Sequence, residues 1–118
     1  MGNVWKGIQP LRVASGWVVD VNNFYEFDPL PENMEWFYGS VLISGHHVKT
    51  GLCFDSRYEP EGDPKGEYVL DFIEMKINKK TGDVESEAFI GSRRTRSRVE
   101  FIEWIESFMF VGKGGLGG

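Results

Sequence analysis

Five carboxylates in two short acidic stretches are the side chains whose types and spacing could do chemistry. Glu26 and Asp28 lie in Tyr25-Glu26-Phe27-Asp28-Pro29, and Glu59, Glu61 and Asp63 lie in Tyr58-Glu59-Pro60-Glu61-Gly62-Asp63-Pro64. Carboxylates two residues apart can act as general acid and base, bind a hard cation, or gather negative potential for a charged partner. Acid-base work needs a defined separation and a cleft, and neither stretch supplies one. The second stretch also lacks the alternating ligands and the distal bidentate glutamate of a calcium-binding EF-hand. Both stretches set Tyr-Glu before Asp-Pro, a turn opener that leaves its acids in water. The expected chemistry is therefore electrostatic, with two neighbouring loops forming one acidic patch.

The remaining reactive residue types are sparse. His46 and His47 are adjacent, so in a strand they point to opposite faces and cannot easily share a metal ion. Cys53 is the single cysteine, which excludes an intramolecular disulfide and a cysteine-rich metal site. It follows Leu52 in an alternating run, where a poorly reactive thiol is the ordinary expectation, because a nucleophilic thiol needs a base or a positive field nearby. No nucleophile elbow, P-loop or dinucleotide fingerprint occurs. These readings point to a protein that is not an enzyme, with no cofactor and no metal.

The elements that position these residues can be read from periodicity. Trp17, Val19, Val21, Asn23, Tyr25 and Phe27 share one parity after Gly16, which predicts a strand with its odd positions towards the core. Asp28-Pro-Leu-Pro31 ends that strand, and Met34–Tyr38 is expected to make a helical turn or to pack Trp36 and Phe37 over the sheet edge. Val41–Ser44 is short, apolar and β-branched, and Gly45-His46-His47-Val48 then reads as a turn. Leu52, Phe54, Ser56 and Tyr58 alternate with Cys53, Asp55 and Arg57 in a half-buried strand. Pro60, Gly62, Pro64 and Gly66 mark a hairpin loop, and a long strand follows from Glu67 to Ile77. Its apolar parity switches from Tyr68, Leu70 and Phe72 to Ile73, Met75 and Ile77, so either both faces are covered or a bulge falls near Phe72-Ile73. Asn78–Asp83 is a second hairpin connection, and Val84, Ser86, Ala88 and Ile90 alternate in the next strand.

Val99, Ile102, Ile105, Phe108 and Met109 recur at helical spacing, with Phe101 and Trp104 widening the apolar arc and Ser92, Thr95 or Ser97 as cap. Arg93, Arg94, Arg96 and Arg98 are expected at the start of that helix, where positive charge opposes the helix dipole. The fold class is thus α+β: an antiparallel sheet of about five strands with one C-terminal amphipathic helix packed on a face. Residues 1–111 read as a single domain and 112–118 as a flexible glycine-rich tail.

Charge bounds the partners. The net charge of the 118 residues is −5, but residues 20–74 hold twelve acids against three bases, a balance of −9. Nucleic acid is disfavoured by such a segment and a basic protein is attracted. No apolar run is long enough to span a bilayer and no signal-peptide core is visible, so a cytoplasmic location without a membrane is the expectation.

The run Tyr58-Glu-Pro-Glu-Gly-Asp-Pro-Lys-Gly66, followed by Glu67-Tyr-Val-Leu-Asp-Phe-Ile73 and by the helix Arg96-Ser-Arg-Val-Glu-Phe-Ile-Glu-Trp-Ile105, resembles small bacterial immunity proteins of polymorphic or contact-dependent toxin systems. The resemblance spans Gly51 to Phe108. It implies a non-enzymatic inhibitor that covers a toxin, and a basic toxin would suit an acidic inhibitor. The residues expected to receive such a partner are Glu26, Asp28, Glu59, Glu61 and Asp63. Two other functions compete with it. One is a ligand-binding or enzymatic pocket between sheet and helix lined by Trp17, Phe54, Phe72 and Trp104. The other is a self-associating protein, a homodimer formed through an exposed face of Tyr68, Leu70 and Phe72.

Overall fold

The computed structural model describes residues 8–38 and 41–116. Five strands lie in the order of the chain: β1 (Trp17–Asn22), β2 (Ile43–His47), β3 (Leu52–Glu59), β4 (Glu67–Ile77) and β5 (Val84–Thr95). Every neighbouring pair is antiparallel. A single α-helix, α1 (Arg98–Val111), follows the last strand, which makes the fold α+β as expected. Short 3-10 helices occupy Pro31–Trp36 and Gly112–Leu116. Among the described residues no helix is long and apolar enough to cross a membrane.

β3 is buried at every second residue, Leu52, Phe54, Ser56 and Tyr58, as its alternation requires. Register carries that face to Phe72, Leu70 and Tyr68 of β4, and α1 covers it with Phe101, Ile105, Phe108 and Met109. Aromatic edges and faces fill the interface. Phe101 stacks on Tyr68 at 4.7 Å between centroids and meets Phe24 edge-on at 5.1 Å, and Phe72 meets Phe108 at 4.6 Å. At the far end the indole N–H of Trp17 donates to the Met109 carbonyl at 2.9 Å, tying β1 to the last turn of α1. Tyr68, Leu70 and Phe72 are therefore core, not an exposed dimer face. Trp17, Phe54 and Phe72 likewise pack on neighbouring rings.

Four local expectations are corrected. β1 ends at Asn22, and its register with β2 slips between Val19 and Val21. The extra residue, Asp20, reverses the parity, so Phe24 enters the core while Val21 is exposed. Gly45, His46 and His47 belong to β2 rather than to a turn. Gly45 is needed there because a Cβ would lie 2.8 Å from the Val18 carbonyl and 2.9 Å from the Phe54 ring. The turn is instead Val48–Thr50, where the amides of Lys49 and Thr50 donate to Nδ1 of His47. β5 runs on to Thr95, which removes Arg93 and Arg94 from the helix start. Finally Val99, one residue past the first helical position, is 59% exposed instead of buried.

The parity switch in β4 has both of the causes considered. Val69 is fully buried although it faces away from α1, so both faces are covered at that point. The register with β5 then slips between Phe72 and Ile73, leaving Ile90 as the extra residue on β5. Ser97 is the helix cap: its hydroxyl accepts from the Glu100 amide at 3.1 Å. The Glu100 carboxylate in turn accepts from the Thr95 hydroxyl at 2.6 Å, so the acid of this Ser-x-x-Glu sequence holds the strand end instead of the cap amide.

Candidate functional site

The hairpin loop between β3 and β4 is shaped by its own polar groups. The Tyr58 hydroxyl donates to the Asp63 carbonyl at 2.6 Å, and the Asp63 carboxylate accepts from the Lys65 amide at 2.8 Å. The Gly62 amide, in a left-handed residue, donates to the Phe37 carbonyl at 3.1 Å, which fastens the loop to the segment after the first 3-10 helix. Asp63 is thus a turn-forming residue.

Asp28 borders the β3–β4 loop at Pro64 and Gly66, but arginines lie among the acids there. Arg57 donates through Nε to Glu59 at 2.8 Å and through Nη1 to Asp71 at 2.7 Å. Arg94, directly across β4, reaches the other oxygen of Glu59 at 3.3 Å. Arg98 donates to Asp28 at 2.9 Å and also to the side-chain oxygen of Gln9. Arg96 donates to the Lys65 carbonyl at 2.7 Å. A hollow lined by Glu59, Glu61 and Glu67 is lined equally by Arg57, Lys65 and Arg94. A second hollow joins Asp28 to Pro64 and Gly66 across Arg96 and Arg98. Of the five expected residues, Glu59 and Asp28 are held in ion pairs and Asp63 in the turn. Glu26 and Glu61 are exposed and form no ion pair among the described residues.

Hydrogen bonding from Arg57, reinforced by the charges of Arg57 and Arg94, holds the Glu59 carboxyl below its ordinary value. A carboxyl depressed in the folded state contributes stability that is present above its unfolded pKa and lost as pH falls through the folded one. In a carboxyl-carbon NMR titration Glu59 is therefore expected to protonate at lower pH in the wild-type protein than in Arg57→Gln, and an unchanged midpoint in the variant would refute the role of Arg57.

The opposite face of the sheet carries no helix among the described residues, and its rows can be read from register. One row crosses all five strands: Val18, His46, Cys53, Ile73 and Phe89. Val18 is 44% and Phe89 67% exposed. The next row holds Asp55 directly opposite Asp71, followed by Ser92. The third sets Val69 between Arg57 and Arg94. Like charges directly opposed across strands destabilise a sheet. Arg57 relieves Asp71, whereas Asp55 accepts from the amide of Ser56 and forms no ion pair among the described residues.

This face also brings together side chains of types used in catalysis. Asp20, displaced by the β1 bulge, accepts or shares a hydrogen bond at 2.8 Å with Nδ1 of His46, and His46 is the cross-strand neighbour of Cys53. A carboxylate, a histidine and a thiol are the residue types of an activated thiol nucleophile, but among the described residues the His46 ring bonds only to Asp20 and the His47 ring only to the amides of Lys49 and Thr50, and neither reaches Cys53. Burial and then the carboxylates of Asp20 and Glu87 push the Cys53 thiol up from its ordinary value, which suppresses the thiolate that would be the nucleophile. The thiol points to the Gly51 carbonyl, 3.5 Å away. Sequence reasoning missed this grouping because its three members come from three strands and one of them sits on a bulge. Compared with known proteins, the chain matches no family model, no curated protein and no solved structure.

Proposed function

We propose that this chain is a non-enzymatic protein-binding domain that receives a cationic, partly apolar partner on the uncovered face of its sheet. The observation that carries this reading is Asp55, set opposite the Arg57-bound Asp71 and without an ion pair among the described residues, beside a row of Val18, His46, Cys53, Ile73 and Phe89 whose ends, Val18 and Phe89, are exposed. Opposed acids on an exposed sheet cost stability, and exposed apolar groups cost solubility. A partner that brings positive charge to the acids and apolar side chains to the neighbouring row removes both penalties at once. Electrostatic steering would raise the association rate and weaken with salt.

The neutralised loops support this relocation of the site from Glu59, Asp28 and Asp63. Glu26 and Glu61 remain suitable for a rim. The suppressed thiol of Cys53 supports binding over catalysis. A basic toxin, the partner class implied by the likeness to immunity proteins, fits the charge of this face.

The test is calorimetric titration against the purified toxin module of a gene adjacent to this one, with Asp55→Arg and Val18→Arg as separate variants of unchanged circular dichroism. Each is expected to weaken binding by about 100-fold, since a charge is reversed or buried unpaired at the contact. Undiminished binding in both variants, with loss on Glu26→Lys/Glu61→Lys, would return the site to the loops.

A further inference from the structure

We propose that the chain forms a two-fold symmetric dimer in which the outer edge of β5 pairs antiparallel with the same edge of a second copy. Among the described residues β5 ends the sheet and pairs with β4 alone, so alternate N–H and C=O groups along its twelve residues face outwards with no described strand to meet them. The edge is polarised. Glu85 and Glu87 lie in its first half, and Arg93 and Arg94 in its second, with Arg96 just beyond. An antiparallel copy reverses this polarity, so the acidic half of each chain meets the basic half of the other.

The bulge at Ile90 makes the two halves agree in phase. Residues seven apart on an unbroken strand, such as Glu87 and Arg94, point to opposite faces. Here Glu87, Phe89, Ser92 and Arg94 lie opposite Met75, Ile73, Asp71 and Val69, all on the uncovered face. Ser86, Ala88, Gly91 and Arg93 lie opposite Lys76, Glu74, Phe72 and Leu70, on the face of α1. With the axis between Ile90 and Gly91, Glu87 falls opposite Arg94 of the second copy and Phe89 opposite Ser92, each pair on one face. Ala88 then falls opposite Arg93 on the other face. Charges and bulges on an edge ordinarily repel a neighbouring strand. In this register the charges attract, and the bulges fall together at the axis between two short ladders.

The overhang of the β4–β5 hairpin gives a second reason. β3 pairs with β4 only as far as Glu74, so the hairpin continues as two strands, with residues 79–89 all exposed. A two-stranded ribbon is marginal in water. In the dimer its outer strand gains Ser92–Arg96 of the second copy as a third, and Phe89 loses its exposure. The two uncovered faces join edge to edge. This inference is independent of the partner proposed above, because it is read by mass in the absence of any partner.

The experiment uses the full chain in light scattering and sedimentation across the micromolar range. The wild-type protein is expected at twice the 13.5 kDa chain mass. Glu85→Lys/Glu87→Lys alone and Arg94→Glu/Arg96→Glu alone are each expected at the single mass, with dissociation constants raised by about 100-fold or more. An equimolar mixture of the two variants, in which every opposed pair is again of opposite sign, should recover the double mass. A wild-type protein at the single mass throughout, a variant that stays dimeric alone, or a mixture that stays monomeric with native circular dichroism would each overturn the proposal.

Discussion

Replacing Phe101 with alanine is expected to lower the stability of the fold by about 4 kcal/mol, the usual cost of emptying a buried phenylalanine site. Phe101 is fully buried, stacked on Tyr68 and set edge-on to Phe24, so it joins the helix both to the sheet and to the segment after β1. The rings around it are themselves packed on others, Tyr68 on Phe37 and Tyr58, which leaves little freedom to collapse into the space. A domain of this size has only about 5–15 kcal/mol to lose. Urea unfolding checks the figure, with Val99→Ala on the exposed side of the same helix as the control, expected to change stability by under about 0.5 kcal/mol. A Phe101→Ala loss no larger than the control's would mean that α1 does not hold the core as described.

Gly51→Ala is expected to cost about 3 kcal/mol or more, through backbone rather than side-chain packing. Gly51 has φ +76, and a Cβ there would lie 2.0 Å from the Met75 carbonyl oxygen. The strands cannot separate to make room, because the Met75 amide donates to the Gly51 carbonyl at 2.8 Å. Gly82 separates the two effects. It has φ +78 in the β4–β5 turn, but nothing lies within 4 Å of its Cβ position. Gly82→Ala should therefore show only the left-handed penalty of about 1 kcal/mol. Thermal or chemical unfolding of the two variants should differ by about 2 kcal/mol, and equal losses would refute the close approach at Gly51.

What was legible in the sequence was what local pattern alone determines. The alternation of Leu52, Phe54, Ser56 and Tyr58 is the burial pattern of β3, and the proline and glycine punctuation of residues 60–66 is the loop. The period-3.6 run from Phe101 to Met109 is the buried side of α1, although Val99 falls off it at the exposed start. Single extra residues were legible only in part: the parity switch at Phe72-Ile73 marks the slip against β5, whereas nothing in the sequence marks Asp20 in β1. Asp20 in β1 turns Phe24 inwards, and Ile90 in β5 brings Glu87 and Arg94 to one face; both are specified by the partner strand's register. The ion pairing of the acids was not legible for a related reason. Charge counted along the chain isolates the acids of residues 20–74, but Arg94 meets Glu59 across 35 residues and Arg98 meets Asp28 across 70. The side of the sheet that α1 covers was hidden as well, since alternation shows that a strand has two faces without showing which one the helix will cover.

The order of the elements has a consequence for synthesis. All five strands precede α1, and each strand pairs with its neighbour in the chain, so on the ribosome the sheet can assemble hairpin by hairpin as it emerges. Until the 14 residues of α1 follow, the nascent sheet shows solvent the aromatic side that the helix later seals. At about 5–20 residues per second that window lasts about one to three seconds. The polypeptide is then at its stickiest, and chaperone capture should favour nascent chains halted just before Arg98.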